Sequence, residues 1–347
     1  MAEKALAIDY HRISPTTQTR ILTLQHGIGN DEIVCTLGPV NRDGAKYHAL
    51  SYEWGEESKD EPDITVNDRK VQIRRNLFNA LRSIRKPTED LQLWVDAICI
   101  NQSDVEEKSQ QVAMMGETFT KAVGVISWLG PAKDNSDLAM DLMSDADELE
   151  SKFTSFDKHS HQAKALFSLC HRTYWRRVWI IQELYLAKSY VVWCGAKSIL
   201  SDNFEKSLAA LNGSKSPYDN DKTFMKNPAN QHSMARLFRS NPRLNNLRRW
   251  LWVCVSSDFQ CSREQDFIFA LLDISADCKG VKETFKVDYS KSPREVFLEL
   301  LWQRNLSTWR NGDGDKRRWL NLAEKMKLNI DEDLRGAVSS RFSRLGF

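Results

Sequence analysis

The sequence predicts an α/β fold: a mostly parallel sheet flanked by helices, with a helical extension on its C-terminal side. Three observations carry this. From about residue 47, short apolar stretches alternate with segments of helical periodicity. Two of these stretches, residues 91–100 and 122–129, are almost continuously apolar, as strands covered on both faces are. Beyond Leu211 the strand-like stretches stop and helical patterns follow. A β-α-β-α alternation of this kind packs as a sheet between helical layers.

The elements follow in order. Residues 47–52 form the first strand candidate, ending at Trp54 and Gly55. Residues 64–66 and 71–73, joined around Asn67 and Asp68, read as a hairpin, because Asn and Asp tolerate the left-handed backbone of a tight turn. Asn76 is expected to cap a helix that carries Leu77, Leu81 and Ile84 on one face. Residues 91–100 read as one buried strand. Ser103 and Glu106 then form a capping box for a helix with Val105, Val112, Met115 and Phe119 at helical spacing. Residues 122–129 form a strand stopped by Gly130 and Pro131. Two more helices lead to residues 172–187, read as a single helix, and residues 190–194 return as a strand.

Residues 1–211 are therefore expected to form the α/β domain. Residues 212–230 read as a linker or loop, since 212–222 offer little to bury. Residues 231–347 read as a helical region packing on the first domain, with helices at 231–256, 264–274 and 293–304. Ser292 caps the last of these and Pro293 takes its first helical position. The final forty or so residues, rich in charge, read as partly mobile.

Composition bounds the function. The 347 residues are 41% hydrophobic and 28% charged, an ordinary globular balance. Lys and Arg total 49 against 47 Asp and Glu, a net charge of +2, which argues against a general nucleic-acid binder. No run approaches the length of a membrane span, and the N-terminus lacks the apolar core of a signal peptide. The 7 cysteines form no C-x-x-C pair and several sit in apolar runs, as small buried hydrophobes of a reducing compartment do. The expectation is a cytoplasmic protein.

Residues 172–187 hold the chain's most pointed feature. Glu183 falls in the apolar stripe of that helix, with Trp179 roughly 40° to one side and Ala187 to the other. Only Arg176, two turns earlier, adds charge to that face. Burying a carboxylate alone costs several kcal/mol. Glu183 therefore either pairs with Arg176 and orients the helix, or performs chemistry.

In open α/β sheets, ligands bind beyond the carboxyl ends of the strands, where helix N-termini offer N–H donors. Three strand ends carry more polar and aromatic character than a turn needs. At Ser51-Tyr52-Glu-Trp54-Gly55, Gly55 allows close backbone approach and Trp54 can stack on a ring. Asp96 shares a strand face with Trp94, Ile98 and Ile100 and must find a partner, and Asn101 and Gln102 follow it. The third is Trp128-Leu-Gly-Pro131. Structural roles stand beside these: Trp54 and Trp128 as core or rim aromatics, Asp96 as acceptor for loop backbone, Asn101 and Gln102 as turn residues.

Other chemistries find little support. There is no phosphate loop of the G-x-x-x-x-G-K-[ST] type and no G-x-S-x-G elbow, and Gly27-Ile-Gly29 lacks the rest of a dinucleotide fingerprint. His159-Ser-His161 lies in a polar stretch without a ligand-spaced partner, and no metal is expected. Cys170 and His171 are sequence neighbours, whereas cysteine catalysis needs a pair arranged in space. Arg236, Arg239, Arg243, Arg248 and Arg249 read as a solvated or partner-facing helical surface.

Three ordered blocks resemble the fungal heterokaryon incompatibility (HET) domain family. Tyr47-His-Ala-Leu-Ser-Tyr-Glu-Trp-Gly55 is similar to its first motif. Leu93-Trp-Val-Asp-Ala-Ile-Cys-Ile-Asn-Gln102, with residues 107–112 and Trp128-Leu-Gly130, is similar to the second. Residues 172–183, followed by Cys194-Gly195, resemble the third. Residues 263–272 and 287–291 look like segments that follow the domain in many members, so the resemblance spans roughly residues 20–300. It implies a domain that triggers cell death when genetically different hyphae fuse.

The family is in turn similar to TIR domains, whose flavodoxin-like sheet can cleave NAD through a glutamate. Trp179-Ile-Ile-Gln-Glu183-Leu184 resembles the TIR pattern W-C-x-x-E-L, with Ile180 standing where TIR has Cys. Ser51 and Tyr52 resemble the end of the first TIR strand. The resemblance implies Glu183 as catalytic residue and NAD as substrate. Trp179 or Trp54 would stack on a ring, and helix N-termini with Arg176 or Arg177 would hold phosphates. It also implies self-association or another signalling chain as the activating partner. The alternatives are a non-catalytic oligomerisation module and a nucleotide sensor that binds without turnover.

Overall fold

A mixed sheet of nine strands organises the computed structural model, which describes residues 8–153, 157, 159–211, 227–237, 245–279, 285–303 and 312–343. The strands are β1 (Gln18–Leu24), β2 (Val34–Asn41), β3 (His48–Tyr52), β4 (Asp63–Val66), β5 (Arg69–Gln72), β6 (Leu91–Trp94), β7 (Gly124–Trp128), β8 (Tyr190–Cys194) and β9 (Lys197–Leu200). Their order is β5-β4-β2-β1-β6-β3-β7-β8-β9.

Parallel pairing runs through the centre, β6-β3-β7-β8, and through the short β2–β4 contact. Antiparallel pairs join β1 to both β2 and β6, β4 to β5, and β8 to β9. This corrects the expectation of a mostly parallel sheet. In β1–β2, β4–β5 and β8–β9 the two strands follow one another directly, without a crossover helix, which makes them antiparallel; β1 also pairs antiparallel with β6. β1 and β2 lie ahead of residue 47, where the sequence had shown no strand. Gly38 and Pro39 weaken the strand signal of β2, and Pro39 sits beyond the two β2 residues that pair with β4.

The central strands are buried through most of their length, as their apolar runs require. The β4–β5 hairpin turns at Asn67 and Asp68, both at positive φ (48° and 61°), as the sequence implied. The helix Arg75–Ile84 buries Leu77, Ala80, Leu81 and Ile84 on one face. Asn76 lies inside its first turn rather than capping it. Its amide instead donates to Glu53 O (2.5 Å) and accepts from the Trp128 indole (3.0 Å), tying the ends of β3 and β7 together.

Residues 91–100 are not one strand. β6 ends at Trp94 and a helical turn, Asp96–Cys99, follows. Asp96 accepts from the Ala97 N–H at 2.7 Å, and a carboxylate at the start of a helical turn offsets its free N–H groups. Asp104, not Ser103, caps the next helix (Val105–Ala113), accepting from the N–H groups of Glu106 and Glu107 at 3.0 Å.

Residues 172–187 also divide. A 3-10 turn, Thr173–Arg176, is followed by extended backbone at Arg177 (φ −69°, ψ 130°) and then by the helix Trp179–Leu186. The break is held from outside: Arg177 forms a β-bridge with Gln260, whose O accepts from Val178 N at 2.9 Å. The helix is buried on all sides and packs on the helices Met115–Lys121, Pro228–Leu237 and Asp266–Leu272.

Residues 212–226 of the expected linker lie outside the described residues, as do Arg239 and Arg243 of the basic stretch. The helices Leu247–Ser256, Asp266–Leu272 and Pro293–Trp302 fall where helical patterns were read, the last with a capping box between Ser292 and Glu295. The charge-rich end departs from expectation. It forms the helices Gly312–Lys325 and Glu332–Ser343, which bury Trp319, Leu322, Leu334, Val338 and Phe342. A few large apolar side chains at helical spacing outweigh a polar average.

Candidate functional site

Parallel strands β6, β3 and β7 end at one edge of the sheet, and a cleft of about 360 Å³ opens beside the ends of β3 and β6. Glu53, Trp54 and Gly55 line it after β3, and Asp96, Ile100 and Gln102 after β6. Arg177, Trp179 and Glu183 line it from the broken helix. Gln260, Arg263, Asp266 and Tyr289 contribute from downstream segments.

Glu183 is almost fully buried, with its side chain 4% exposed. Its carboxylate accepts a short hydrogen bond from the Ser51 hydroxyl, which also bonds the Tyr174 hydroxyl at 2.7 Å. Arg177 Nη1 stands 3.7 Å from Glu183 Oε2. Burial pushes the Glu183 pKa above the ordinary glutamate value, the Arg177 charge and the Ser51 bond pull it back, and the Asp96 charge pushes it up again. Asp96 accepts from the Trp54 indole at 2.9 Å. Its pKa is likewise raised by burial and moderated by Arg177 and Trp54. Burial works against the Arg177 charge, but Glu183 and Asp96, with Tyr174 and Tyr52, hold its pKa above normal. One guanidinium thus serves two carboxylates.

The opposite wall centres on Asp266, a carboxylate 6% exposed. It accepts from the Tyr289 hydroxyl at 2.7 Å and from the Trp179 indole. Burial raises its pKa against these bonds. Trp179 therefore reaches from the Glu183 helix to the downstream wall. Arg74 lies over the Trp54 ring, 5.4 Å from its centroid, and donates to Gly55 O at 2.7 Å.

Of the residues singled out in the sequence, Trp54, Gly55, Asp96, Gln102, Arg177, Trp179 and Glu183 meet in this cleft. Ser51 and Tyr52 are buried behind it and support it through hydrogen bonds. Asn101 belongs to the turn: its N–H donates to Glu107 at 2.9 Å and its side-chain oxygen accepts from Ser103 N. Arg176 does not line the cleft and does not pair with Glu183; the break at Arg177 turns it away. Trp128 is 1% exposed and bonded to Asn76, so the third strand end is core. Cys170 is buried, its thiol pushed up to about 12. Sequence reasoning missed Arg74, Lys108, Arg263, Asp266 and Tyr289 as cleft residues. The last three stand in the segments read as following the domain.

Residues 47–183 match the family model described as "Heterokaryon incompatibility protein (HET)". Residues 47–183 are a HET domain. "Heterokaryon incompatibility protein 6, OR allele" of Neurospora crassa is 29% identical, in an alignment that covers 53% of this chain and 34% of that protein. The chain thus spans about a third of the length of the curated relative it matches. No solved structure gives a significant match. The HET domain supplies one wall of the cleft, including Trp54, Asp96, Arg177, Trp179 and Glu183. Gln260, Arg263, Asp266 and Tyr289, beyond the matched residues, supply the other.

Proposed function

We propose that this chain is an incompatibility-type cell-death effector whose cleft cleaves the nicotinamide–ribose bond of NAD, with Glu183 as the catalytic carboxylate. The cell-death role is carried over from the HET domain and from the printed name of the Neurospora relative. One observation supports the chemistry above others: Glu183 lines a cleft in which a single guanidinium and a serine hydroxyl hold it. A TIR-like relationship would account for the arrangement, with Trp179 one helical turn before Glu183.

In this reading the glycosidic C–N bond breaks with its electron pair leaving on nicotinamide, and water adds to the ribose carbon. The products are nicotinamide, ADP-ribose and a proton. Charge develops on the sugar as an oxocarbenium-like centre, which an oriented carboxylate stabilises directly or through the ribose hydroxyls. The Arg177 charge favours the ionised form of Glu183 and opposes the effect of its burial. Trp54 and Trp179 offer ring faces for the base, and Asp96 fixes the Trp54 edge. Activity would follow self-association or contact with another chain in the cytoplasm. Among the described residues, no helix is long and apolar enough to cross a membrane.

The test is nicotinamide release from NAD at high protein concentration. Glu183→Gln should lower turnover by about a hundredfold or more, as loss of a charge-stabilising group does. A variant that released nicotinamide at the wild-type rate would refute the mechanism. The deep burial of Glu183 favours a second reading, a non-catalytic signalling module in which the Arg177 pair orients the helix. Glu183→Gln would then change thermal stability with no reaction to lose. A sensor that binds without turnover would show NAD and ADP-ribose binding by calorimetry but no product.

A further inference from the structure

We propose that Lys108 and Arg263, each stacked over the Tyr289 ring, form a subsite for the diphosphate of a nucleotide. The inference rests on the nucleotide reading above and extends it to the part of the cleft around Tyr289. The Lys108 ammonium and the Arg263 guanidinium each lie 5.3 Å from the Tyr289 ring centroid, and all three side chains line the cleft that Glu183 lines. The ring is fixed by its hydroxyl bond to Asp266.

Charges alternate along the cleft. Glu183 pairs with Arg177, Arg177 also faces Asp96, Asp96 feels Lys108, Lys108 also acts on Asp266, and Asp266 feels Arg263. Arg74, over the Trp54 ring, and Glu53 and Glu56 complete the charged lining. Near Glu183, two carboxylates share Arg177. Around Tyr289, two cations flank Asp266, whose oxygens are already engaged by the Tyr289 hydroxyl and the Trp179 indole. Arg263 lines the cleft, is exposed and makes no ion pair among the described residues. A guanidinium fork beside an ammonium group suits phosphate oxygens. The complementary ligand carries positive charge at one end and a diphosphate further along, as an oxidised nicotinamide dinucleotide does. An inorganic anion alone would match only one end.

Arg263 and Tyr289 lie beyond the HET match at residues 47–183. The subsite therefore makes the region downstream of the HET domain part of ligand recognition.

The experiment uses the full chain and titrates ADP, inorganic pyrophosphate and nicotinamide riboside by calorimetry. Lys108→Ala and Arg263→Ala should each weaken ADP and pyrophosphate about tenfold, and the double variant about a hundredfold. Nicotinamide riboside, which lacks phosphate, should bind all forms alike. Lys108→Arg and Arg263→Lys keep the charge and should retain most of the affinity, which separates lost charge from lost folding. Absent ADP and pyrophosphate binding in the wild type, or unchanged binding in the double variant, overturns the subsite. ADP binding that depends on both cations, without NAD cleavage, upholds the subsite and removes the cleavage reading. Glu183-dependent cleavage whose KM is unchanged in the double variant upholds cleavage and removes the subsite.

Discussion

Arg177 Nη1 faces Glu183 Oε2 across 3.7 Å, and the pair exists because the backbone is extended at Arg177. Had the 3-10 turn and the helix been continuous, Arg177 would fall six residues before Glu183, on another face. Gln260 holds the break open through the β-bridge. A segment beyond the HET domain thus sets the electrostatics of the domain's most buried carboxylate.

Arg177→Gln should move the acidic limb of any pH–activity profile upward. Burial raises the Glu183 and Asp96 pKa values and Arg177 lowers both, so removing the charge raises both further. Ionised Glu183 then requires higher pH, and the apparent pKa of the acidic limb should rise. Breaking a largely buried pair should also cost about 3 kcal/mol near neutrality. Nicotinamide release against pH, beside urea denaturation, measures both. A limb that stays in place or moves down would contradict the pairing.

Three cleft carboxyls, Asp96, Glu183 and Asp266, have folded pKa values above their ordinary ones. Such groups bind protons more tightly folded than unfolded. Their stabilising contribution is complete below the ordinary carboxylate range and is lost as pH rises through the raised values. Glu183→Gln removes one of the three contributions. The difference in unfolding free energy between wild type and Glu183→Gln should therefore shift in favour of the variant as pH rises from the ordinary carboxylate range of about 4. Urea melts of both proteins across that range give the answer. A shift in favour of the wild type would mean that Glu183 has a depressed pKa.

Asp266→Ala should loosen Trp179 and leave the Tyr289 hydroxyl without its carboxylate partner. Losing a charged acceptor to a buried hydroxyl and indole costs about 2–4 kcal/mol. Fluorine NMR of protein labelled with 5-fluorotryptophan isolates the reporter, since the Trp179 line is the one that Trp179→Phe removes. In Asp266→Ala that line should shift and broaden. An unmoved line would show that the indole is held by packing alone.

The site was legible in part. Trp54, Asp96, Trp179 and Glu183 announce themselves as polar or aromatic residues where the fold expects core or a strand end. Arg177 was read only as a phosphate ligand and Arg176 as the Glu183 partner, because helical periodicity assumed an unbroken segment. The break depends on Gln260, some eighty positions away, and local pattern does not register it. Residues 91–100 fail in the same way: the run is apolar throughout, yet it turns from strand to helix at Asp96, so burial was read correctly and conformation was not. The antiparallel flanks were missed because β1 and β2 lie outside the alternating region, and β2 carries Gly38 and Pro39.

Gly116→Ala should weaken the seam between the HET domain and the downstream helices. Gly116 is the second residue of the helix Met115–Lys121: its N–H donates to Asp273 Oδ2 at 2.9 Å, and the Gln182 amide, oriented with its oxygen toward this N–H, lies at 3.0 Å while bonding Ala270 O at 3.0 Å. A Cβ at position 116 would stand 2.4–2.6 Å from the Asp273 side chain, its Cβ included. Asp273 must therefore withdraw, which gives up its bond to the backbone and strains the contact beside Gln182. A cost of about 1–3 kcal/mol follows from overpacking and the lost acceptor. Because Gln182 precedes Glu183 on the buried helix, the disturbance should reach the cleft. Hydrogen exchange should report faster opening of Met115–Lys121 and Asp266–Leu272 together, with β3 and β7 unchanged. Opening confined to either helix alone would show that the seam is not a single cooperative contact.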